Sequence, residues 1–319
     1  VTINNGHLDI NTAGGNIEVT GNIASAGDDE SLTLDDGTGT GTVTLGGSAT
    51  SGSITIVGNS GVNLTSDLVS TNTASGAINV TGDVTLKGNV TVDADANNTT
   101  VTFNGAVDSD DASSLRNLTI NTGAGLVKMD GALGAGIKLG TISINAATTG
   151  AGTIEVANIG DGDAVGANST VKLGNTNTAL LTLDGTIYKS TGSQQYKAKA
   201  GDYINITNGS GAAFTTTNTD VTFETADVVL SDGANLSIST GNEAGDITFG
   251  ASIHGTAEGT VTDLTSLASG TGTVTLNAID GATTDIEDIT ITGPTVLKGT
   301  ISTNSNGAVS ITGAVTVDE

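Results

Sequence analysis

The chain is punctuated by a three-residue unit in which two apolar side chains flank a polar one. It is read in SLTL (31–34), TVTL (42–45), SITI (53–56), VNL (62–64), INV (78–80), VTV (90–92), LTI (118–120), ISI (142–144), IEV (154–156), VKL (171–173), LTL (181–183), INI (204–206), VTF (221–223), LSI (236–238), VTL (274–276) and ITI (289–291). Side chains of a strand alternate between its two faces, so each unit predicts a short strand with its apolar pair on one side and its middle residue toward water. Gly, Asn and Asp fill the gaps, residues that tolerate the backbone conformations of turns. No stretch has convincing helical periodicity. A β-sandwich or barrel uses longer strands and larger, often aromatic core residues. Three-residue strands of Val, Ile and Leu fit coils stacked one on another, so the fold class expected is all-β, a parallel β-helix or β-solenoid. At roughly 20 to 25 residues per coil, the chain makes about 13 to 15 coils.

A longer phrase joins two such strands through a small turn: NIEVTGNI (16–23), TVTFNGAV (100–107), DITFGASI (246–253) and AVSITGAV (308–315). Val101 and Ile247 stand 146 positions apart, and Ile17 and Val309 stand 292 apart, twice that spacing. GAGLVKM (123–129) and GTGTVTL (270–276) continue the match at a spacing of 147. These spacings predict one elongated solenoid over 1–319, with degenerate repeats of about 146 residues whose copies sit on equivalent rungs. The stretch 186–203, TIYKSTGSQQYKAKAGDY, breaks the pattern. It holds Tyr188, Tyr196 and Tyr203, all the tyrosines of the chain, and is expected as a looser coil or an excursion. An adhesive patch is the competing reading, because tyrosine is favoured in contacts.

Composition narrows the function. There are 34 acidic residues against 9 basic ones, a net charge of −25, and the cations form no cluster. Phosphate backbones need clustered cations, so nucleic acid is not an expected partner. No apolar run approaches the length of a membrane helix, so no membrane insertion is expected. The chain has no cysteine, and disulfides play no part in its stability. It begins at Val1 without a visible leader and is read as processed or as a fragment. The recurring β-branched residues argue against disorder despite the abundance of Gly, Ser, Thr and Asn.

The candidate sites are few. Asp93 and Asp95, Asp108, Asp110 and Asp111, and Asp161 and Asp163 form short acidic clusters of the kind that ligate calcium. None sits in an EF-hand loop or a tandem calcium repeat, so solvated turn residues are the simpler reading. His7 and His254 each lack a neighbouring Cys or His, and neither suggests a metal site. A β-helix enzyme acting on polysaccharide needs paired carboxylates or a basic–acidic cluster, usually with aromatic sugar platforms. Arg116 is the only arginine, and tryptophan is absent. Runs such as TTTNT (215–219) raise ice binding, although Thr is the ordinary outward residue of a strand. Asn63, Asn79, Asn89, Asn117, Asn205 and Asn235 begin Asn-x-Ser/Thr sequons that abundant Asn and Thr produce by chance.

Four segments together resemble the repeat regions of filamentous-haemagglutinin-like bacterial exoproteins and related giant surface adhesins. They are TVTFNGAVDS (100–109) followed by SLRNLTINTGAG (114–125), GSQQYKAKAGDYINITNGSGAAF (192–214), and DITITGPTVLKGTIS (288–302). The resemblance implies a right-handed parallel β-helix, secreted by a bacterium and displayed as a stalk or adhesive surface; the lack of cysteine fits export in an unfolded state. The expectation is therefore a non-enzymatic structural and adhesive rod, extracellular, on a cell surface or secreted. Its expected partners are further copies stacked end to end and a host or cell-surface glycan or protein receptor. No cofactor, metal ligand or catalytic residue is assigned. The alternatives are a polysaccharide-processing enzyme, a calcium-dependent adhesin segment and an ice-binding segment.

Overall fold

The structure, a computed structural model, describes all residues except 5, 28, 73–75, 232, 257–261, 281–285, 305–306 and 319. The chain divides into two compact units, Val1–Ala157 and Asn158–Glu319. Each unit is a β-solenoid whose named strand pairs are all parallel. Every one of the sixteen apolar–polar–apolar units forms part of a strand. Among the described residues no α-helix occurs, and Asp95–Asn97 make one turn of 3-10 helix.

In the first unit, three sheets surround an aliphatic interior. The first begins with Thr2–Ile3 and ends with Ile142–Ile144, seven strands in all; the second runs from His7–Asn11 to Thr153–Val156, also seven. The third has five strands, from Ile17–Val19 to Val107–Ser109. Because the rungs pair in register, like residues stack. Leu8, Leu32, Ile54, Ile78, Val101, Val127 and Ile154 form one column of the second sheet. Such burial removes apolar surface from water at roughly 25 cal/mol per Å², and the columns close on one another without a break. Beyond Val107–Ser109 the third side is crossed by irregular chain, pinned by an isolated bridge between Val107 and Leu133.

The second unit repeats this plan with seven, six and six strands. Its first sheet opens with Val171–Leu173, its second with Leu180–Leu183 and its third with Ile187–Lys189. The stretch 186–203, expected as a loose coil, is woven into all three sheets. Ile187–Lys189, Gln194–Lys197 and the first residue of Tyr203–Ile206 each pair with the next coil. Alternation explains the outcome: Tyr188 and Tyr196 fall on the inward phase and are wholly buried. They begin two ring stacks at coil spacing. Tyr196, Phe223 and Phe249 stack with centroids 5.0 and 4.9 Å apart, and Tyr188 stacks on Phe214 at 4.7 Å. Edge-to-face contacts of 5.2 and 5.3 Å from Phe214 to Tyr196 and Phe223 lock the two stacks together.

The four copies of the longer phrase do not all turn the same corner; the first and the last do. In the first unit, residues 16–23 turn the chain from third sheet to first, whereas 100–107 turn it from second to third. In the second unit, 246–253 turn from first to second and 308–315 from third to first. The phrase encodes a corner, and any corner will do. In the 100–107 copy the glycine has a local cause. A Cβ on Gly105 would lie 2.3 Å from the carbonyl oxygen of Gly82, and one on Gly82, which has φ +103°, would lie 2.0 Å from that of Gly58. Successive coils touch backbone to backbone at this corner, and only glycine leaves room.

Candidate functional site

The acidic residues have local work that accounts for their positions. Many Asn and Asp side chains stand immediately before a strand and accept the N–H that precedes the matching strand one coil later. Asn16 accepts from Thr42 at 3.0 Å, Asn22 from Ser48 at 3.1 Å and Asp83 from Ala106 at 3.0 Å. Some run in series: Asn89 accepts from Asn117 and Asn117 from Thr141, while Asp220 accepts from Asp246 and Asp246 from Thr273, at 2.7–3.0 Å. These side chains satisfy corner N–H groups that the ladder leaves over. Two of the sequon asparagines, Asn89 and Asn117, are thus already engaged through their amide oxygens.

The proposed calcium clusters resolve into turns of this kind. Asp93 accepts the N–H of Asp95 at 3.0 Å. Asp161 takes the N–H groups of Asp163 and Ala164, which hold its carboxyl below the usual range. Asp111 accepts both the N–H and the hydroxyl of Ser113, and these lower its pKa. Asp110 pairs with Arg116 at 2.7 Å; that charge-assisted bond lowers the acid and raises the base. Asp108 accepts from Gly136 and Ile137 at 2.9 and 3.3 Å, yet desolvation outweighs these bonds and raises its pKa. Among the described residues no three His, Cys, Asp or Glu side chains are grouped to hold a metal ion. His7 faces Ser31, with Nδ1 and Oγ 2.5 Å apart, in the first unit.

Of the three tyrosines, two are structural. Gln194 lies buried between them and donates from Nε2 to the Tyr188 carbonyl, the Ser190 hydroxyl and the Thr215 carbonyl, each at 3.0 Å. Tyr196 Oη donates to Gln194 Oε1 at 3.0 Å, and the Gly185 N–H donates to Tyr188 Oη at 2.9 Å. Burial raises both phenol pKa values. Tyr203 alone turns outward, 46% exposed, because Ile204 and Ile206 take the inner phase of its strand. Its ring meets that of His254 edge to face, centroids 6.2 Å apart. Nearby, Lys197 and Gln195 both contact the Glu224 carboxylate. Burial raises that acid, and the two partners overcome it to leave a lowered pKa.

Elsewhere an outward column is rich in threonine. Thr222, Thr248 and Thr275 stack in one column of the second unit, with Gln195 and Val296 as its next members. A concavity of about 240 Å³ is lined by small and polar residues that include Thr186, Ser210, Ala213, Asn235 and Ser237. It gathers hydroxyls and amides but no titratable group, so it offers hydrogen bonds rather than acid–base chemistry. Among the described residues no helix is long and apolar enough to cross a membrane. No family model matches the chain, and no curated protein or solved structure is significantly similar to it.

Proposed function

We propose that this chain is a non-enzymatic structural and adhesive β-solenoid of the bacterial cell surface, displayed or secreted outside the cell. The observation that carries the reading is the in-register stacking of coils. Inward positions are spent on a continuous core, and outward positions form columns of Thr, Ser, Asn and Asp that repeat at coil spacing. Such an array presents a stiff, solvated, acidic surface, and stiffness and solubility are what display needs. A glycan or protein receptor on a cell is the partner class this reading calls for, and stacking of copies end to end is its second mode of association, because unpaired strand edges accept further strands.

The test is direct. Purified chain coated on beads is expected to bind cells, and negative-stain microscopy at high concentration is expected to find filaments beside single particles. Release of reducing sugar from acidic polysaccharides by the purified chain would replace this reading with that of an enzyme. Loss of cell binding or of thermal stability on chelation would replace it with that of a calcium-dependent adhesin.

A further inference from the structure

We infer that the outer face of the second unit's second sheet docks a basic peptide segment of a protein partner, with a Lys or Arg side chain laid on the Tyr203 ring. Six of the seven aromatic side chains are buried, and Tyr203 is the exception. In register it lies between Leu180 and Asp227, and the neighbouring outward column carries Val229 and His254 on successive coils. The Tyr203 ring reaches diagonally to meet that of His254 in an edge-to-face contact, and Tyr203 stays 46% exposed. Leu180, Tyr203, Val229 and His254 therefore gather apolar and aromatic side chains on this face, with Asn205 and Asp227 among them. The second sheet of the first unit has Thr33, Thr55, Asn79, Thr102 and Lys128 in its outward column instead.

Charge selects the occupant. Asp202 precedes Tyr203, and Asp227 stands beside it one coil on. The Ser252 N–H holds Asp227 Oδ1 at 2.9 Å, which orients the carboxylate. Lys199 is 3.9 Å from Asp202, a long contact on an exposed side chain. A cation over an aromatic face gains from the ring quadrupole, and the carboxylate of Asp227, in register beside Tyr203, adds to that. A net charge of −25 repels phosphate-bearing and acidic-sugar ligands. The inference rests on the adhesive reading only for where the partner comes from. Its test uses purified chain, so it can fail with cell binding intact, or succeed in a chain that binds no cell.

The probe is a labelled, end-blocked Gly-Arg-Gly-Arg-Gly peptide, read by fluorescence anisotropy on the full chain. Tyr203→Ala is expected to weaken binding about three- to tenfold, and Tyr203→Phe to restore it. Asp227→Asn keeps the acceptor for Ser252; it is expected to weaken binding and flatten its salt dependence. Asp67→Asn, which keeps the acceptor for Thr91 in the first unit, is expected to leave binding unchanged. Any of four results overturns the inference: no binding by the unaltered chain, no effect of Tyr203→Ala, an equal effect of Asp67→Asn, or equal binding of the same peptide with citrulline for arginine. Shifts of the Tyr203 ring resonances by maltohexaose but not by the peptide would also overturn it, in favour of a sugar.

Discussion

Inside the first unit, Ile10, Leu34, Ile56, Val80, Phe103, Met129 and Val156 follow one another up a single column. Inside the second, Tyr196, Phe223 and Phe249 occupy three consecutive rungs and lean on Tyr188 and Phe214 from the next sheet. The backbone is the same kind of coil in both. Aliphatic side chains fill each rung independently, so one rung tolerates Val, Ile, Leu, Met or a lone Phe. Rings behave differently. Coil spacing coincides with a favourable stacking distance, and the edge contacts tie two sheets together, so every ring of the cluster leans on at least one other. A solenoid core can thus be built as exchangeable layers or as an interlocked cluster.

The sharpest way to break this contrast is to remove a ring. Phe223→Ala takes contacts from Tyr196, Phe214 and Phe249 and is expected to cost about 3–5 kcal/mol in urea unfolding, with loss of near-ultraviolet ellipticity. Phe103→Leu in the aliphatic column is expected to cost under about 1.5 kcal/mol. Equal costs for Phe223→Leu and Phe103→Leu would erase the distinction between the units.

Alkali separates the units next. Tyr188 and Tyr196 have pKa values raised above 10 in the folded state. The unfolded chain loses these protons near pH 10 while the folded chain keeps them, so their stabilisation is full below pH 10 and shrinks as pH rises beyond it. At pH 11 the two together are expected to cost about 3 kcal/mol, or about 1.4 kcal/mol each. The first unit has no tyrosine and escapes this effect. Absorbance at 295 nm is the check: Tyr188 and Tyr196 should ionise only as the chain unfolds.

Smaller effects test what the units share. Gly105→Ala drives a Cβ into the Gly82 backbone and is expected to cost about 1–3 kcal/mol, whereas Gly21→Ala, with nothing within 4 Å, should change the melting temperature little. Asn117→Ala removes the acceptor for Thr141 and is expected to cost about 1 kcal/mol; Asn117→Asp retains it and should cost far less.

Much of the architecture was legible because strand phase is a two-residue rule. Val171 and Leu173 announce a buried pair wherever they fall in the fold. What stayed hidden depends on partners distant in sequence. Gln194 reads as a surface residue, and the carbonyls of Tyr188 and Thr215 with the hydroxyls of Ser190 and Tyr196 make its burial tolerable. The tyrosine-rich stretch looked irregular for the same reason: Phe214, Phe223 and Phe249, which receive its rings, lie in later coils. Nor does the recurring phrase say which corner it turns, since all three demand the same short strands and a small residue between them. The outward setting of Tyr203, by contrast, follows from Ile204 and Ile206 alone. The strand-preceding Asn and Asp residues were visible as letters, but their acceptor role needs the coil length that brings each one opposite its donor.

Most of those acceptors share one direction along the chain. Asn16, Asn22, Asp67, Asp83, Asn89, Asn117, Asp220 and Asp246 each receive an N–H from a residue 23 to 28 positions further along. Through these side chains each turn holds acceptors for the turn that follows it, while backbone N–H groups such as those of Ile17 and Ile23 donate forward to the later turn. Each of these bonds holds a register between two coils, so a residue inserted between acceptor and donor must be taken up as a bulge at another corner if the bond is to survive.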